Sequence, residues 1–230
     1  MPADGLFDDD IPGRSSRIIK HIGYLMKEDI NIQLWLGTEK ESVEDCDEKR
    51  RKWFRKYRKY RARNAVNLLD AEEGWAWQDE TKLAGEEQKA RIDARNEVWR
   101  RTNNELEAMH RRIRVVSYRT EKELDHILEE TRLVLDPRKT PDLRLQTAAI
   151  CYGIPQVVFA SSGYVLHTEN GYICSGDQYI ADGLHYYLDG LANWNHAHEI
   201  CAHIVRKYPE DCMQQVHRWK RLIGEAQTGQ

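Results

Sequence analysis

The chain has 230 residues, of which 40% are hydrophobic and 32% are charged, and its formal net charge at pH 7 is −3. This length fits one large domain or a domain with an appendage. No stretch approaches the roughly 18 apolar residues of a membrane span. Residues 1–10 are acidic and lack the basic and then apolar pattern of a secretory signal. We therefore expect a cytoplasmic protein rather than a secreted or membrane-spanning one.

Neither the cysteines nor the histidines predict a metal site. The cysteines are odd in number, widely spaced and without a Cys-x-x-Cys pair, which disfavours disulfides and a zinc knot; they are Cys46, Cys151, Cys174, Cys201 and Cys212. His196 and His203 share one face of a predicted helix, whereas His198 lies on another face with Cys201. Because such ligands do not converge, we expect no metal and no cofactor.

The chain is predicted to begin with a leader, a helix and a strand. Residues 1–13 contain Asp, Gly and Pro without periodicity, which indicates a flexible leader. From Arg14 apolar residues recur at helical spacing, and over residues 30–36 they alternate until Gly37. These two periods predict a helix followed by a strand.

Residues 39–111 differ sharply from the rest in composition. Charged residues dominate, proline is absent and aliphatic residues are few. Sparse apolar stripes predict two long helices with a break near residues 73–79, where Gly74 interrupts the pattern. A helical pair this polar is typical of a solvent-facing projection or a partner-binding hairpin.

From Ile113 onward, short apolar strands alternate with amphipathic helices. Strands are predicted at 113–118, 133–135, 156–160 and 171–174, and helices at 121–131, 143–152, 177–191, 194–208 and 210–225. This alternation is typical of βαβ units and a mainly parallel sheet. The sequence therefore predicts the α/β fold class.

Motifs in this α/β part resemble those of known families. A helix ending in GIP at 153–155, a turn with SG at 162–163 and NGY at 170–172 resemble the carboxy-terminal lobe of two-lobed (GT-B) glycosyltransferases. PDL at 141–143 followed by Gln146, GIPQ at 153–156, YYLD at 186–189 and NWN at 193–195 resemble, more specifically, the first accessory Sec component of Gram-positive bacteria. The resemblance covers about half of the chain and, more loosely, residues 14–37.

The resemblance implies a Rossmann-like, parallel-sheet lobe of GT-B type. Residues 14–38 and 112–230 would form this lobe, with residues 39–111 as a charged helical insertion. It also implies a glycosyltransferase-like protein that works with two companions in exporting serine-rich glycosylated adhesins. Because a two-lobed member also needs an amino-terminal lobe, we expect either a fragment of a longer protein or a shortened relative.

The carboxylates that the resemblance implies for catalysis are missing. Counting back from Gly153, the paired glutamates of retaining enzymes correspond to Thr140 and Ala148. Neither side chain carries a charge or exchanges a proton as a carboxylate does, so we expect no catalytic residue. Asp142 is either a substitute carboxylate or the N-cap of the next helix. The candidate ligand-binding residues are Asp142, Ser162, Gly163, Asn170 and Gly171.

Residues 49–61 interleave aromatic and basic side chains. Three binding functions are compatible with such a helix: nucleic acid through phosphates and stacked bases, an anionic membrane surface and an acidic partner protein. It is also consistent with a solvated helix whose cations pair with acids elsewhere. The acids within 41–48 weaken long-range attraction to polyanions, which ranks nucleic acid last. The predicted partner or membrane surface consists of Lys52, Trp53, Arg55, Lys56, Arg58 and Lys59.

These features favour a non-catalytic, glycosyltransferase-like component of accessory Sec export that acts in complex assembly or glycan recognition. The resemblance implies the other accessory Sec components as partners, and the glycosylated adhesin as a further one. Peripheral contact with the inner membrane face is an alternative to a purely cytoplasmic location. Two alternative functions stay open: an active sugar-nucleotide-dependent glycosyltransferase, and a helical interaction module that binds a protein or a membrane surface.

Overall fold

The computed structural model describes residues 1–3, 6–8 and 11–207. The chain divides into two compact units, residues 1–119 (unit 1) and residues 120–230 (unit 2). The helix predicted at 210–225 lies outside the described residues. None of the described helices is long and apolar enough to cross a membrane.

The described part of unit 1 contains three α-helices and a two-stranded parallel sheet. The elements are α1 (Arg14–Glu28), β1 (Leu34–Thr38), α2 (Val43–Glu72), α3 (Gly85–His110) and β2 (Ile113–Ser117), with 3₁₀ turns at Trp75–Trp77 and Glu80–Lys82. β1 and β2 pair in parallel from Leu34 opposite Ile113 to Thr38 opposite Ser117. Helices α2 and α3 form a hairpin that connects the two strands.

Helix α1 is amphipathic, and side chains hydrogen-bond to backbone groups at both of its ends. Its apolar face is buried and consists of Ile18, Ile19, Ile22, Leu25 and Met26. At its start, the Gly13 N–H donates to Ser16 Oγ at 2.9 Å. After its end, the Arg112 guanidinium donates to the carbonyls of Asp29 and Ile30 at 3.1 Å each. These bonds satisfy backbone groups that a helix end and the following turn would leave without partners.

The aromatic residues of α2 lie in the core of unit 1. Trp53, Phe54 and Tyr57 are each at most 4% exposed. The Trp53 and Tyr57 rings stack with centroids 4.9 Å apart, and Phe54 lies 4.6 Å from the His110 ring. Burial raises the pKa of Tyr57 to about 12. Trp53 was predicted to belong to an exposed surface, but its ring packs inside because aromatic rings bury large apolar areas.

The described part of unit 2 contains a three-stranded parallel sheet with helices between and after its strands. The elements are α4 (Glu121–Glu129), β3 (Val134–Asp136), α5 (Leu143–Cys151), β4 (Gln156–Val158), β5 (Gly171–Ile173) and α6 (Ile180–Leu188), and residues 191–207 form a helix, α7. The strand order is β3-β4-β5. β3, α5 and β4 form a βαβ unit, whereas a loop of residues 159–170 connects β4 to β5.

The predicted α/β fold with parallel strands is confirmed, and so is the break in the hairpin after Glu72. The predicted strand at 30–36 begins only at Leu34, because Asp29 Oδ1 accepts the Asn31 N–H at 2.8 Å and turns the chain there. The described parallel strands form two sheets, one in each unit. The combination of residues 14–38 with 112–230 in one lobe stays a prediction.

The described part of the predicted leader contacts unit 1. Ala3 and Leu6 are buried, and the Ala3 N–H donates to the Gly37 carbonyl at 2.7 Å. The hydrogen bond fixes Ala3 against β1, and the Leu6 N–H donates to the Ala3 carbonyl at 2.9 Å.

Gly153 lets the end of α5 approach α7 closely. Its φ is +70°, which favours glycine, and an added Cβ would lie 2.2 Å from His198 Nδ1. The His198 ring in turn stacks on Trp194 at 5.4 Å, and its Nδ1 lies 3.0 Å from the Gly153 carbonyl oxygen. Close packing of the ring on this turn therefore requires the absence of a side chain.

Gly153→Ala should lower the free energy of unfolding by about 3 kcal/mol, because backbone strain adds to overpacking against His198. Gly163→Ala is a matched control: its φ is also positive, at +91°, but an added Cβ meets no atom within 4 Å. That variant should lose only about 1 kcal/mol. Urea unfolding of both measures the difference, and equal losses would contradict the proposed His198 contact.

Candidate functional site

The candidate ligand site lies at the carboxyl ends of β3 and β4. Because these strands are parallel neighbours, the segments that follow them, residues 137–142 and 159–163, leave the sheet at the same edge. In open α/β sheets, ligands bind outside this edge. We call these two segments, together with Asp136, the carboxyl-edge site.

Arg138 holds both acidic side chains of the carboxyl-edge site. Its guanidinium donates to both carboxylate oxygens of Asp136, at 2.7 and 3.1 Å, and to Asp142 Oδ2 at 2.7 Å. Burial alone would lower the pKa of Arg138, but the hydrogen bonds and negative charges of the two aspartates outweigh it and raise the pKa. The positive charge is therefore fixed between two carboxylates.

Asp142 is the N-cap of α5. Its Oδ1 accepts the Leu145 N–H at 3.0 Å, while its other oxygen accepts from Arg138. Both oxygens thus have structural partners, as the N-cap interpretation predicts. A carboxylate in these bonds is poorly suited to exchange a proton with a substrate.

The two positions that correspond to the missing glutamates lie before and within α5. Thr140 is exposed on the segment before α5, and Ala148 is partly buried in α5. Neither supplies an acid. Within the described residues, no group of three His, Cys, Asp or Glu side chains is arranged to hold a metal ion.

The buried amide of Gln146 fixes the segment that follows β4. Gln146 is 0% exposed. Its Nε2 donates to the Ala160 carbonyl at 2.8 Å and its Oε1 accepts the Ser162 N–H at 2.9 Å. Among the described residues, the buried Ser162 hydroxyl has no hydrogen-bond partner. Gly163 is exposed, so this segment presents neutral polar groups.

The structure separates the other two candidates from this edge. Gly171 begins β5 and pairs with Gln156, the first residue of β4, so it lies at the amino end of the strands. An added Cβ on Gly171 would lie 2.3 Å from Val165 Cγ1. Asn170 is 0% exposed and braces the loop by bonding the Tyr164 carbonyl and the Leu166 N–H. Both residues have structural roles at this position.

Arg138 and Gln146 were not among the predicted site residues. The signal for Arg138 is a basic residue two positions after the strand-ending Asp136, with Asp142 four residues later. Gln146 belongs to the motif that follows Pro141, but only the fold shows that its amide reaches the neighbouring segment.

Several cations of α2 are paired within unit 1. Ion pairs join Lys49 to Glu41, Arg51 to Asp47, Lys52 to Glu48 and Arg58 to Glu107, and Arg50 is buried beside Asp47. Trp53 lies in the core. Three residues of the predicted surface are thus paired or buried within unit 1: Lys52, Trp53 and Arg58.

Four exposed cations of α2 are not paired in this way. Arg55, Lys56, Lys59 and Arg63 have no ion-pair partner in the part of the chain that the structure describes. Their spacing of one, three and four residues places them on one side of the helix. We call these four residues the cationic face. Arg63 was missed in the sequence, although it continues the spacing of Lys56 and Lys59.

The sequence model of accessory Sec system protein 1, the first accessory secretory protein, matches residues 57–226, which is more than half of the chain. The chain belongs to this family. The matched range begins within α2 and includes the whole carboxyl-edge site.

Two relatives in the accessory secretory protein 1 family show how much of the protein the chain covers. The relative from Streptococcus gordonii is 38% identical over 125 residues, 54% of this chain and 23% of the relative. The one from Staphylococcus aureus (strain NCTC 8325 / PS 47) is 38% identical over 96 residues, 42% of this chain and 19% of the relative. The aligned part of the chain therefore spans less than a quarter of either relative.

Solved structures show a similar fold. The chain matches the Glycosylation Associate Protein (Gap123) complex from Streptococcus agalactiae with a TM-score of 0.55 and 22% identity, over 91% of this chain and 34% of that one. It matches the crystal structure of accessory secretory proteins 1, 2 and 3 of Streptococcus pneumoniae with a TM-score of 0.53 and 18% identity, over 95% and 34%. At these identities the likeness concerns the fold.

Asp142→Ala should destabilise this family member by about 2 kcal/mol, because it removes the α5 cap and one partner of the partly buried Arg138. Asp142→Asn keeps an oxygen for the Leu145 N–H and should lose less than half as much. Thermal and urea unfolding of the two variants measure these losses. Wild-type stability in both would show that the cap and the Arg138 contact contribute nothing.

Proposed function

We propose that the chain is part of a non-catalytic, glycosyltransferase-like component of an accessory Sec system. The family match over residues 57–226 carries this proposal. The parallel strands and the βαβ unit of unit 2 support a Rossmann-like lobe of GT-B type. In this proposal the protein works in the cytoplasm.

The geometry of the carboxyl-edge site supports the loss of catalysis. Glycosyl transfer at such a site needs a carboxylate that contacts the donor or exchanges a proton. Thr140 and Ala148 occupy the expected positions. Asp136 and Asp142 are both bound to Arg138, so using either would first break a partly buried ion pair.

The same site is better suited to binding. The buried Ser162 hydroxyl has no hydrogen-bond partner among the described residues, and the exposed Gly163 offers its carbonyl, since its N–H donates to Ser161 Oγ at 3.0 Å. Both groups are neutral and lie on a segment that Gln146 holds in place. Neutral donors and acceptors on a fixed backbone match the hydroxyl groups of a sugar. We propose that this edge contributes to recognition of the glycosylated adhesin.

Assembly with companion proteins is the second part of the proposal. The two structures with a similar fold are a glycosylation-associated protein complex and a complex of accessory secretory proteins 1, 2 and 3. We propose that this family member likewise assembles with accessory secretory proteins 2 and 3. Complex formation, rather than turnover, is then the activity to measure.

The full chain should co-elute with accessory secretory proteins 2 and 3 in size-exclusion chromatography and should hydrolyse no uridine or guanosine sugar nucleotide above background. Elution apart from both companions would contradict the assembly role. Sugar-nucleotide turnover that Asp142→Ala abolishes, with the fold retained, would instead establish an active glycosyltransferase. Saturable sugar-nucleotide binding in calorimetry would also favour that alternative.

The cationic face favours a second candidate, a helical interaction module. Four aligned cations without ion-pair partners in the described part of the chain attract an anionic protein or membrane surface. Five other cations of α2 lack this property because acids of unit 1 pair with them: Lys49, Arg50, Arg51, Lys52 and Arg58.

Under this second candidate, Arg55→Glu with Lys59→Glu should reduce co-sedimentation with vesicles rich in phosphatidylglycerol at least tenfold at low salt, since two attractive charges become repulsive. Lys20→Glu with Lys89→Glu changes the net charge equally outside the cationic face and should change binding far less. Binding that ignores both salt and the Arg55 and Lys59 changes would rule out a membrane role for this face.

A further inference from the structure

The tip of the α2–α3 hairpin, residues 73–84, consists of two defined turns. Helix α2 ends at Glu72, and Gly74 reverses the chain with a φ of +71°. Two 3₁₀ turns follow, Trp75–Trp77 and Glu80–Lys82. The second turn is capped by Asp79, whose carboxylate accepts the Thr81 N–H at 3.1 Å. The tip therefore has defined turn and capping geometry.

Trp75 and two arginines of α3 fasten the tip to the hairpin. The guanidinium groups of Arg91 and Arg95 lie 5.1 and 6.0 Å from the Trp75 ring centroid. Arg95 also forms ion pairs with Asp70 at 2.7 Å and Glu80 at 2.6 Å, on either side of the first turn. Arg91 is 4% exposed and donates to the Gln78 side chain just after that turn. An element held in this way loses little freedom on binding.

Trp77 has no comparable contact. It is 90% exposed, more than any other large hydrophobic side chain in the described residues. The contacts that hold the tip use Trp75 and leave Trp77 unused, so Trp77 does not stabilise this turn. A tryptophan presented on a pre-ordered element is the residue type most often responsible for binding energy at protein interfaces.

The charge around Trp77 limits the kind of partner. Residues 70–87 include seven acids and one basic residue, Lys82. Glu72, Glu73 and Glu86 are exposed and have no ion-pair partner in the described part of the chain. An acidic rim repels an anionic membrane or a nucleic acid, and it complements a basic protein surface.

We propose that the hairpin tip docks on a companion accessory secretory protein, with Trp77 in an apolar pocket and the free glutamates against a basic rim. This inference rests on the proposed function, because it takes the companions as the partners. The docking surface is distinct from both the cationic face and the carboxyl-edge site.

The test measures the Kd of the full chain for accessory secretory proteins 2 and 3, immobilised together. Trp77→Ala should weaken binding by about 30-fold or more, as expected for an interface anchor. Leu68→Ala is the matched control, because Leu68 is 59% exposed on the same hairpin outside the tip; it should leave the Kd within about twofold.

Glu72→Lys with Glu73→Lys should weaken binding at low salt and less at high salt. Unchanged circular dichroism spectra check that each variant keeps its fold.

The outcomes separate this inference from the proposed function. If wild-type chain and companions do not bind, the proposed assembly fails. If they bind and Trp77→Ala and the double glutamate variant keep wild-type affinity, the docking inference is overturned while the assembly stands. Sedimentation velocity of the chain alone tests whether the tip binds a second copy of the chain. Self-association that Trp77→Ala abolishes would also overturn the inference.

Discussion

Parallel pairing of β1 with β2 is the constraint on which unit 1 depends. Two adjacent parallel strands cannot be joined by a tight turn, so the chain must cross from the end of one to the start of the other. Helices α2 and α3 make this connection by running out and back over about 45 and 39 Å. Only the part near the strands has enough neighbours to bury Trp53, Phe54 and Tyr57. Farther out, ion pairs hold the helices together, and the remaining side chains are available to other molecules.

In unit 2 the ion pairs of Arg138 determine which groups at the carboxyl edge lack a fixed partner. An acid that exchanges protons must be free of strong fixed partners, but Arg138 occupies both acids at the carboxyl edge. The other polar groups there are backbone groups and the Ser162 hydroxyl, which are neutral. The bonds that stabilise the start of α5 therefore also make the edge unsuited to acid–base chemistry.

Local patterns predicted the parts of the structure that depend on local contacts. The Pro-Asp pair before α5 predicted the Asp142 cap, and Gly74 predicted the hairpin break. Interactions across elements were not predictable in this way. Trp53 lies among cations in sequence, yet its helical position turns it into the core. Ser162 and Gly171 are close in sequence, but the loop between β4 and β5 carries them to opposite ends of the strands. Likewise, nothing in the sequence of residues 75–77 distinguishes Trp75, which contacts two arginines, from the exposed Trp77.

The antiparallel course of the hairpin has an evolutionary consequence. Its two helices leave and rejoin the sheet at points fixed by β1 and β2, while the distance to the tip depends only on how many turns each helix contains. Equal insertions or deletions in both helices, in steps of about seven residues or two turns, would keep every facing side chain in phase. Such changes would move the tip by roughly 10 Å without altering strand register. The distance from the sheet to the tip can thus change between lineages while the fold and the chemistry of the tip stay constant.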